Sequence, residues 1–184
     1  MMTHNDAGST ACCVAFIGIL WDLLQMTSPP APIWWLKRYM EIASQLEGNR
    51  EYASRAPAYN TFRGPIHRFV EESVRAAHQD NLPVVDACNR WQSGTYLMET
   101  MPSVIYILMR HGHDPEEAIV RAVNDTWDND TIAAIVGAAV GALHGQNAIP
   151  QRWIANHSGR TAEGDDGKMF QLIREAGQRW GDTD

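Results

Sequence analysis

Between Ile132 and Leu143 the sequence reads IAAIVGAAVGAL, small and apolar throughout. Ala133, Gly137 and Gly141 recur every four residues, with Ala134 and Ala138 beside them. That spacing places them on one face of an α-helix. An interior glycine costs a helix up to about 1 kcal/mol relative to alanine. Two of them suggest that close approach matters more here than local propensity, because a smooth face lets a second helix pack tightly. Helix against helix is therefore the first constraint on the fold.

The rest of the chain reads the same way. Thr10 to Gln25 is an apolar-rich helix stopped by Thr27-Ser28-Pro29-Pro30. Ile33 to Leu46 follows, with Trp34, Leu36, Met40 and Ala43 as inward positions. Gly48 to Gly64 is polar, contains Pro57 and Asn60, and reads as a loop. Pro65 to Gln79 is a helix with proline in its first turn, and Pro83 to Arg90 is a short one. Glu99 to Arg110 is another, with Pro102 either in its first turn or bending it. Asp114-Pro115-Glu116-Glu117 opens the next, which runs to about Val123: Asp114 caps, Pro115 suits the first position, and the glutamates face the positive end of the dipole. Thr131 to Leu143 precedes a loop from Trp153 to Gly167, and Asp166 to Gln178 is the last helix. No segment shows clear two-residue alternation and no repeat is present. The prediction is a single all-α domain over residues 1–184, a bundle of packed helices.

Composition narrows the function. The chain has 184 residues, 45% hydrophobic and 20% charged, which suits one globular domain with a real core. Fifteen basic and 22 acidic residues give a net charge of -7, which argues against a surface that coats nucleic acid. Cys12, Cys13 and Cys88 form no CxxC pair and suit a reduced compartment. Ala11 to Leu20 is apolar but has no Lys or Arg before it, so it is a poor secretory signal. No apolar run approaches the roughly 20 residues that span a bilayer. A cytoplasmic protein without membrane partners is the expectation.

The chemistry-bearing segment precedes the glycine-rich helix. Asp128 and Asp130 are two residues apart, a spacing that in an extended segment points both side chains the same way. The Thr131 hydroxyl stands beside them. This all-oxygen set suits Mg²⁺, Mn²⁺ or Ca²⁺ rather than zinc. Two full negative charges outweigh the half unit of positive charge at a helix N-terminus. Capping explains the same residues, since Asp and Thr are good caps, and for a bare Asp-x-Asp-Thr it is the commoner explanation. Other candidates have plain readings as well. His111-Gly112-His113 is either a metal pair or helix-end histidines favoured by the C-terminal dipole, and the second is the commoner; His144 before Gly145 has the same explanation. Trp34-Trp35 is either a ligand platform or packing, and packing is the commoner. Ser93-Gly94 with Tyr96 is either a sugar or phosphate contact or an ordinary loop. Gly164-Asp165-Asp166-Gly167 reads as a turn before an Asp-capped helix rather than a second cation loop. Neither a GxSxG string nor a P-loop is present.

The surroundings shift the balance. Ala122-Val123-Asn124, then Asp128-x-Asp130-Thr131-Ile132-Ala133-Ala134, then a Gly/Ala-rich helix ending in Leu143-His144-Gly145 resembles the C-terminal metal motif of the ADP-ribosylglycohydrolase family. Asp114-Pro115-Glu116-Glu117-Ala118 and Gly94-Thr95-Tyr96-Leu97-Met98-Glu99-Thr100 resemble the segments ahead of it. Thr3-His4-Asn5-Asp6 resembles the family's mid-chain Thr-His-x-Asp element. The likeness runs in order over most of residues 3 to 175.

The resemblance implies packed helices around a two-metal centre, usually Mg²⁺ (alternatively Mn²⁺), and cleavage of the glycosidic bond joining ADP-ribose to an acceptor. Carried over by position, Asp128, Asp130 and Thr131 are the metal ligands, and His4 lines the ADP-ribose site. Tyr96 is a further substrate contact. Trp127 lies where the family often has Gly-Gly, and its ring suits stacking. The family's Gly-Asp-rich opening and its Thr-Asp-Asp motif, which completes the centre, have no counterpart; Gly164-Asp165-Asp166-Gly167 lies in the wrong order. The catalytic acidic residue is therefore unassigned and half of the metal site is present. The expectation is a C-terminal portion of the family fold, truncated at its N-terminus as a fragment, internal start or split gene. It is expected to be weak or inactive alone, with apolar surface left for self-association or for a separate N-terminal half. The alternative is a non-catalytic helical module that binds ADP-ribose or a partner.

Overall fold

The structure is a computed structural model that describes residues 5–157 and 167–180. The chain divides into two compact units, Met1–Ala148 and Ile149–Asp184. The first is all-α apart from one small bridge. Its helices are α1 (Ala7–Leu23), α2 (Pro32–Glu47), α3 (Ile66–Gln79), α4 (Val84–Trp91), α5 (Leu97–His111), α6 (Pro115–Asn124) and α7 (Asn129–His144). The second unit holds α8 (Gln151–Asn156) and α9 (Lys168–Trp180). No helix among the described residues is long and apolar enough to cross a membrane.

α5 is the centre of the first unit. Every residue from Met98 to Met109 is buried, the signature of a helix covered on all sides. α1, α2, α3, α4, α6 and α7 all pack on it. Pro102 lies inside this helix, past its first turn, and offers the Met98 carbonyl no N–H. Two side-chain hydroxyls that α5 brings into the core, those of Ser103 and Tyr106, are hydrogen-bonded. The Tyr106 hydroxyl lies 2.7 Å from the Leu82 carbonyl, and the Trp91 indole donates to the Ser103 hydroxyl at 2.6 Å. Around α5, α1 pairs with α2 and α6 with α7, each pair joined by a short connection.

Several boundaries differ from the sequence reading for local reasons. α1 begins three residues early because Asp6 caps it through the Ser9 N–H at 3.1 Å. The inward stripe of α2 is Trp35, Leu36, Tyr39 and Ala43, so Trp34 and Met40 are only partly buried. Trp34 and Trp35 pack edge to face at 5.4 Å. The polar segment after α2 holds a two-residue antiparallel bridge, β1 (Tyr52–Ala53) with β2 (Arg63–Gly64), too short to show alternation in sequence. Pro65 and Pro83 stand one residue before their helices rather than inside them. α8 occupies the start of what reads as a loop from Trp153.

The glycine-rich face of α7 is the main correction. A Cβ added at Gly137 or Gly141 meets nothing within 4 Å. No helix of the described chain approaches that face closely; α7 buries Ile132, Val136, Ala139, Val140 and Leu143 instead. Close approach occurs on α1, where a Cβ at Gly18 would collide with Ile42 of α2. Gly137→Ala should therefore stabilise the chain by about 0.5–1 kcal/mol, since alanine removes backbone freedom from the unfolded state and meets no obstacle. Urea unfolding checks this. A loss of stability would reveal a partner seated on the face.

α1 is apolar around its circumference. Ala11, Ala15, Ile19 and Leu23 are buried. On the other side Val14, Ile17, Trp21 and Leu24 are between 42% and 68% exposed, a contiguous run at helical spacing.

Candidate functional site

The acidic elbow joins α6 to α7. α6 is closed by Thr126, whose hydroxyl donates to the Ala122 carbonyl at 2.6 Å. Arg121, one turn back, lies 3.0 Å from Glu117 and 3.3 Å from Asp125. The chain then turns through Trp127 and Asp128. The Trp127 N–H donates to the Ser93 hydroxyl at 3.1 Å, and the Asp128 N–H to the Ser93 carbonyl at 3.0 Å. The Trp127 indole, 63% exposed, donates to Asn89 Oδ1 at 3.1 Å.

Asp128 stands at the N-cap position of α7 with φ -93° and ψ 63°, yet its side chain accepts no backbone N–H. This departs from an ordinary cap, in which the carboxylate takes an N–H of the first turn. Instead Oδ1 accepts the Thr131 hydroxyl at 3.0 Å. Oδ2 is buried without a hydrogen-bond partner. A buried carboxylate oxygen left unpaired is costly, and a cation is the kind of group that would satisfy it. The helix starts at Asn129, so Asp130 and Thr131 lie in its first turn and the extended-strand argument for parallel side chains does not apply past Asn129. Asp130 is exposed. Among the described residues no three of His, Cys, Asp and Glu gather as a group that could hold a metal ion. The structure thus brings the Thr131 hydroxyl to Asp128 and leaves the neighbouring Asp130 exposed, oxygens chemically suited to a hard cation but short of the six or more that such an ion takes.

The loop that holds the elbow also borders a cleft. Gln92 and Ser93 have φ of 71° and 32°, a left-handed pair without glycine. Gly94 follows, and any side chain there would strike the Glu99 carboxylate. The Thr100 hydroxyl ties the Gly94 carbonyl at 2.7 Å. Tyr96 then lines a cleft of about 640 Å³ together with Asp6, Cys13, Tyr52, Arg55 and Ile135. The Arg55 guanidinium lies over the Tyr96 ring, 4.3 Å from its centroid. Burial pushes the Tyr96 hydroxyl above its ordinary pKa and Arg55 opposes this. The cleft therefore joins a cation, an aromatic face and an acidic rim.

Asp6 forms that rim. Its carboxyl is held at about 2, first by the Ser9 hydroxyl at 2.5 Å, then against some burial by the Tyr52 hydroxyl at 2.8 Å. A carboxyl more acidic in the folded chain than its ordinary 3.8 contributes stability above that value and loses it as pH falls toward 2. Asp6→Asn should accordingly flatten the acid limb of stability between about pH 4 and pH 2. Urea midpoints for both chains across that range check it, and parallel acid limbs would refute it.

Of the residues singled out in sequence, Asp128 and Thr131 are in contact, Trp127 precedes them and is held by Ser93, Asp130 is exposed, and Tyr96 lines the cleft. His4 lies outside the described residues, as do residues 164–166 of the Gly-Asp-Asp-Gly string. His144 Nε2 is 2.8 Å from the Gly112 carbonyl, a helix-end contact. Burial lowers the pKa of His111. Sequence reasoning passed over Arg55 and Asn89. Arg55 sits in a polar stretch with no periodicity, and Asn89 meets Trp127 only through the fold.

The ADP-ribosylglycohydrolase family model matches residues 1–180. No curated protein and no solved structure gives a significant match. The match spans nearly the whole chain, from the Asp6 cap through the elbow to α9, and on it this all-helical protein belongs to the ADP-ribosylglycohydrolase family.

Proposed function

We propose that the chain binds a divalent cation, Mg²⁺ or Mn²⁺, through Asp128, Asp130 and Thr131, and takes ADP-ribose or an ADP-ribosylated substrate beside it. The observation that carries this reading is the buried Asp128 Oδ2 without a partner, on the same carboxylate as the oxygen held by Thr131. The reaction class is glycosidic hydrolysis. When bound, the ion would orient ribose hydroxyls and activate water. The protein's own groups bind and orient. Arg55 supplies positive charge for a phosphate, Tyr96 and exposed Trp127 offer ring faces, and Thr131 fixes one oxygen of Asp128. Proton transfer to the leaving group requires a carboxyl placed at the glycosidic bond, and no residue of this chain is assigned to it. With two carboxylates and a hydroxyl at the elbow, turnover by this chain alone is expected to be low or absent.

A second reading, a module that binds ADP-ribose without cleaving it, is favoured by the Arg55–Tyr96 pair, which needs no cation to hold an anion beside a ring. The exposed α1 stripe and the open glycine face of α7 support association with a second copy or a separate complementary chain. Titration calorimetry with Mg²⁺ and with ADP-ribose, on a sample whose mass is followed by light scattering, tests these readings together. Heat with Mg²⁺ is the expected result. Heat with ADP-ribose alone favours the second reading, and silence with both ligands removes both. A mass equal to that of one chain at all concentrations removes self-association.

A further inference from the structure

We infer that Ser93 is a positioning residue for the cation site, a role that rests on the reading of Asp128 as a ligand. Ser93 is fully buried, so it is not itself a contact for sugar or phosphate. Its hydroxyl and its carbonyl are both spent on the elbow. The hydroxyl accepts the Trp127 N–H at 3.1 Å and the carbonyl accepts the Asp128 N–H at 3.0 Å. These two bonds come from a residue 34 and 35 positions away in sequence and grip consecutive peptides of the elbow.

The grip has a specific consequence. Asp128 keeps φ -93° and ψ 63°, away from the extended backbone with which Asp6 (φ -132°, ψ 154°) and Asp114 (φ -127°, ψ 102°) cap their helices, while Asn129 is already helical. In this conformation its carboxylate makes no bond to the first-turn N–H groups and leaves Oδ2 buried and unpaired. Released from Ser93, Trp127 and Asp128 are free to turn the carboxylate onto those N–H groups as an ordinary cap, which is the favoured place for an aspartate at this position. Ser93 therefore keeps Asp128 from capping and leaves an oxygen available to a cation. The backbone of Ser93 adopts φ 32° to do so, directly after Gln92 at φ 71°, and non-glycine residues held there cluster at functional sites.

The test compares Ser93→Ala and Ser93→Gly with the unsubstituted chain. Each deletes the hydroxyl and keeps the carbonyl, and glycine accommodates the positive φ, so it folds even if alanine does not. The readouts are Mg²⁺ affinity by titration calorimetry, urea stability, and hydrogen exchange at the Trp127 and Asp128 amides. We expect Mg²⁺ affinity to fall about 10–100-fold, the usual effect of losing an orienting partner behind a ligand. Exchange at the Trp127 amide should quicken about tenfold. In Ser93→Gly the fall in Mg²⁺ affinity should accompany only the modest stability loss of one hydrogen bond, which by itself does not weaken a cation site. Mg²⁺ affinity within twofold of the unsubstituted chain, or a Trp127 amide as protected as before, overturns the inference while leaving Asp128 as a ligand. If the unsubstituted chain takes up no Mg²⁺, the ligand reading itself falls and this role falls with it.

Discussion

Asp128→Ala is expected to abolish Mg²⁺ uptake, with affinity at least ~100-fold weaker, while changing stability by no more than about 0.5 kcal/mol. The affinity and the stability respond to separate causes. Losing a ligand removes a charge from the cation and exceeds the 10–100-fold cost of losing an orienting partner. Stability barely moves because Asp128 accepts no backbone N–H of α7. The one hydrogen bond its side chain makes, from Thr131, is exposed, and removing the unpaired buried Oδ2 offsets that loss. Asp114 provides the control. It caps α6 through the Glu117 N–H at 3.1 Å, and Asp114→Ala should cost about 1 kcal/mol with Mg²⁺ uptake unchanged. Calorimetry and urea unfolding on the two variants distinguish the roles. An Asp128→Ala chain that loses as much stability as Asp114→Ala and still takes up Mg²⁺ would make Asp128 a structural residue.

The contrast between these two aspartates shows where sequence reasoning reaches its limit. Both precede helices, and both fit the preferences of an N-cap. Asp114-Pro115-Glu116-Glu117 is complete within four residues, so its geometry follows from local rules and the structure reproduces it. The departure of Asp128 is imposed by Ser93, which no local rule connects to it. The same division runs through the fold. Helix existence is legible because apolar spacing is local, and α5 announces its burial by carrying hydrophobic residues on every side. Helix partners are not legible. The glycines of α7 satisfy the sequence rule for close approach and face open space, whereas Gly8 and Gly18 of α1, ten residues apart, are the ones closely approached, by Ile66 and by Ile42. Nor does sequence show which loop residue enters the cleft. Arg55 reaches Tyr96 through the turn between β1 and β2, whose two-residue strands are too short to leave a periodic trace.

Glu47→Ala should destabilise the fold severely, by about 3 kcal/mol. Glu47 ends α2, only 3% exposed. An acidic residue so deeply buried must be matched by donors. Three are present: the Ile66 N–H at 2.5 Å, the His67 N–H at 2.8 Å and His67 Nδ1 at 2.7 Å. Pro65, the N-cap residue of α3, has no side chain able to accept from these amides. Glu47 thus caps α3 from a different helix, with its charge at the positive end of the dipole. Alanine leaves two buried N–H groups and a histidine ring unmatched and opens a small void between α2 and α3. The loss corresponds to a Tm lower by roughly 6–12 °C in a chain of this size. Glu47→Gln separates charge from shape. It keeps the volume and one acceptor oxygen but turns an amide donor toward a donor, so it should recover no more than about half of the loss. Thermal and urea unfolding of both variants decide the point. A Glu47→Ala chain within about 1 kcal/mol of the original would mean that water replaces the carboxylate at the head of α3.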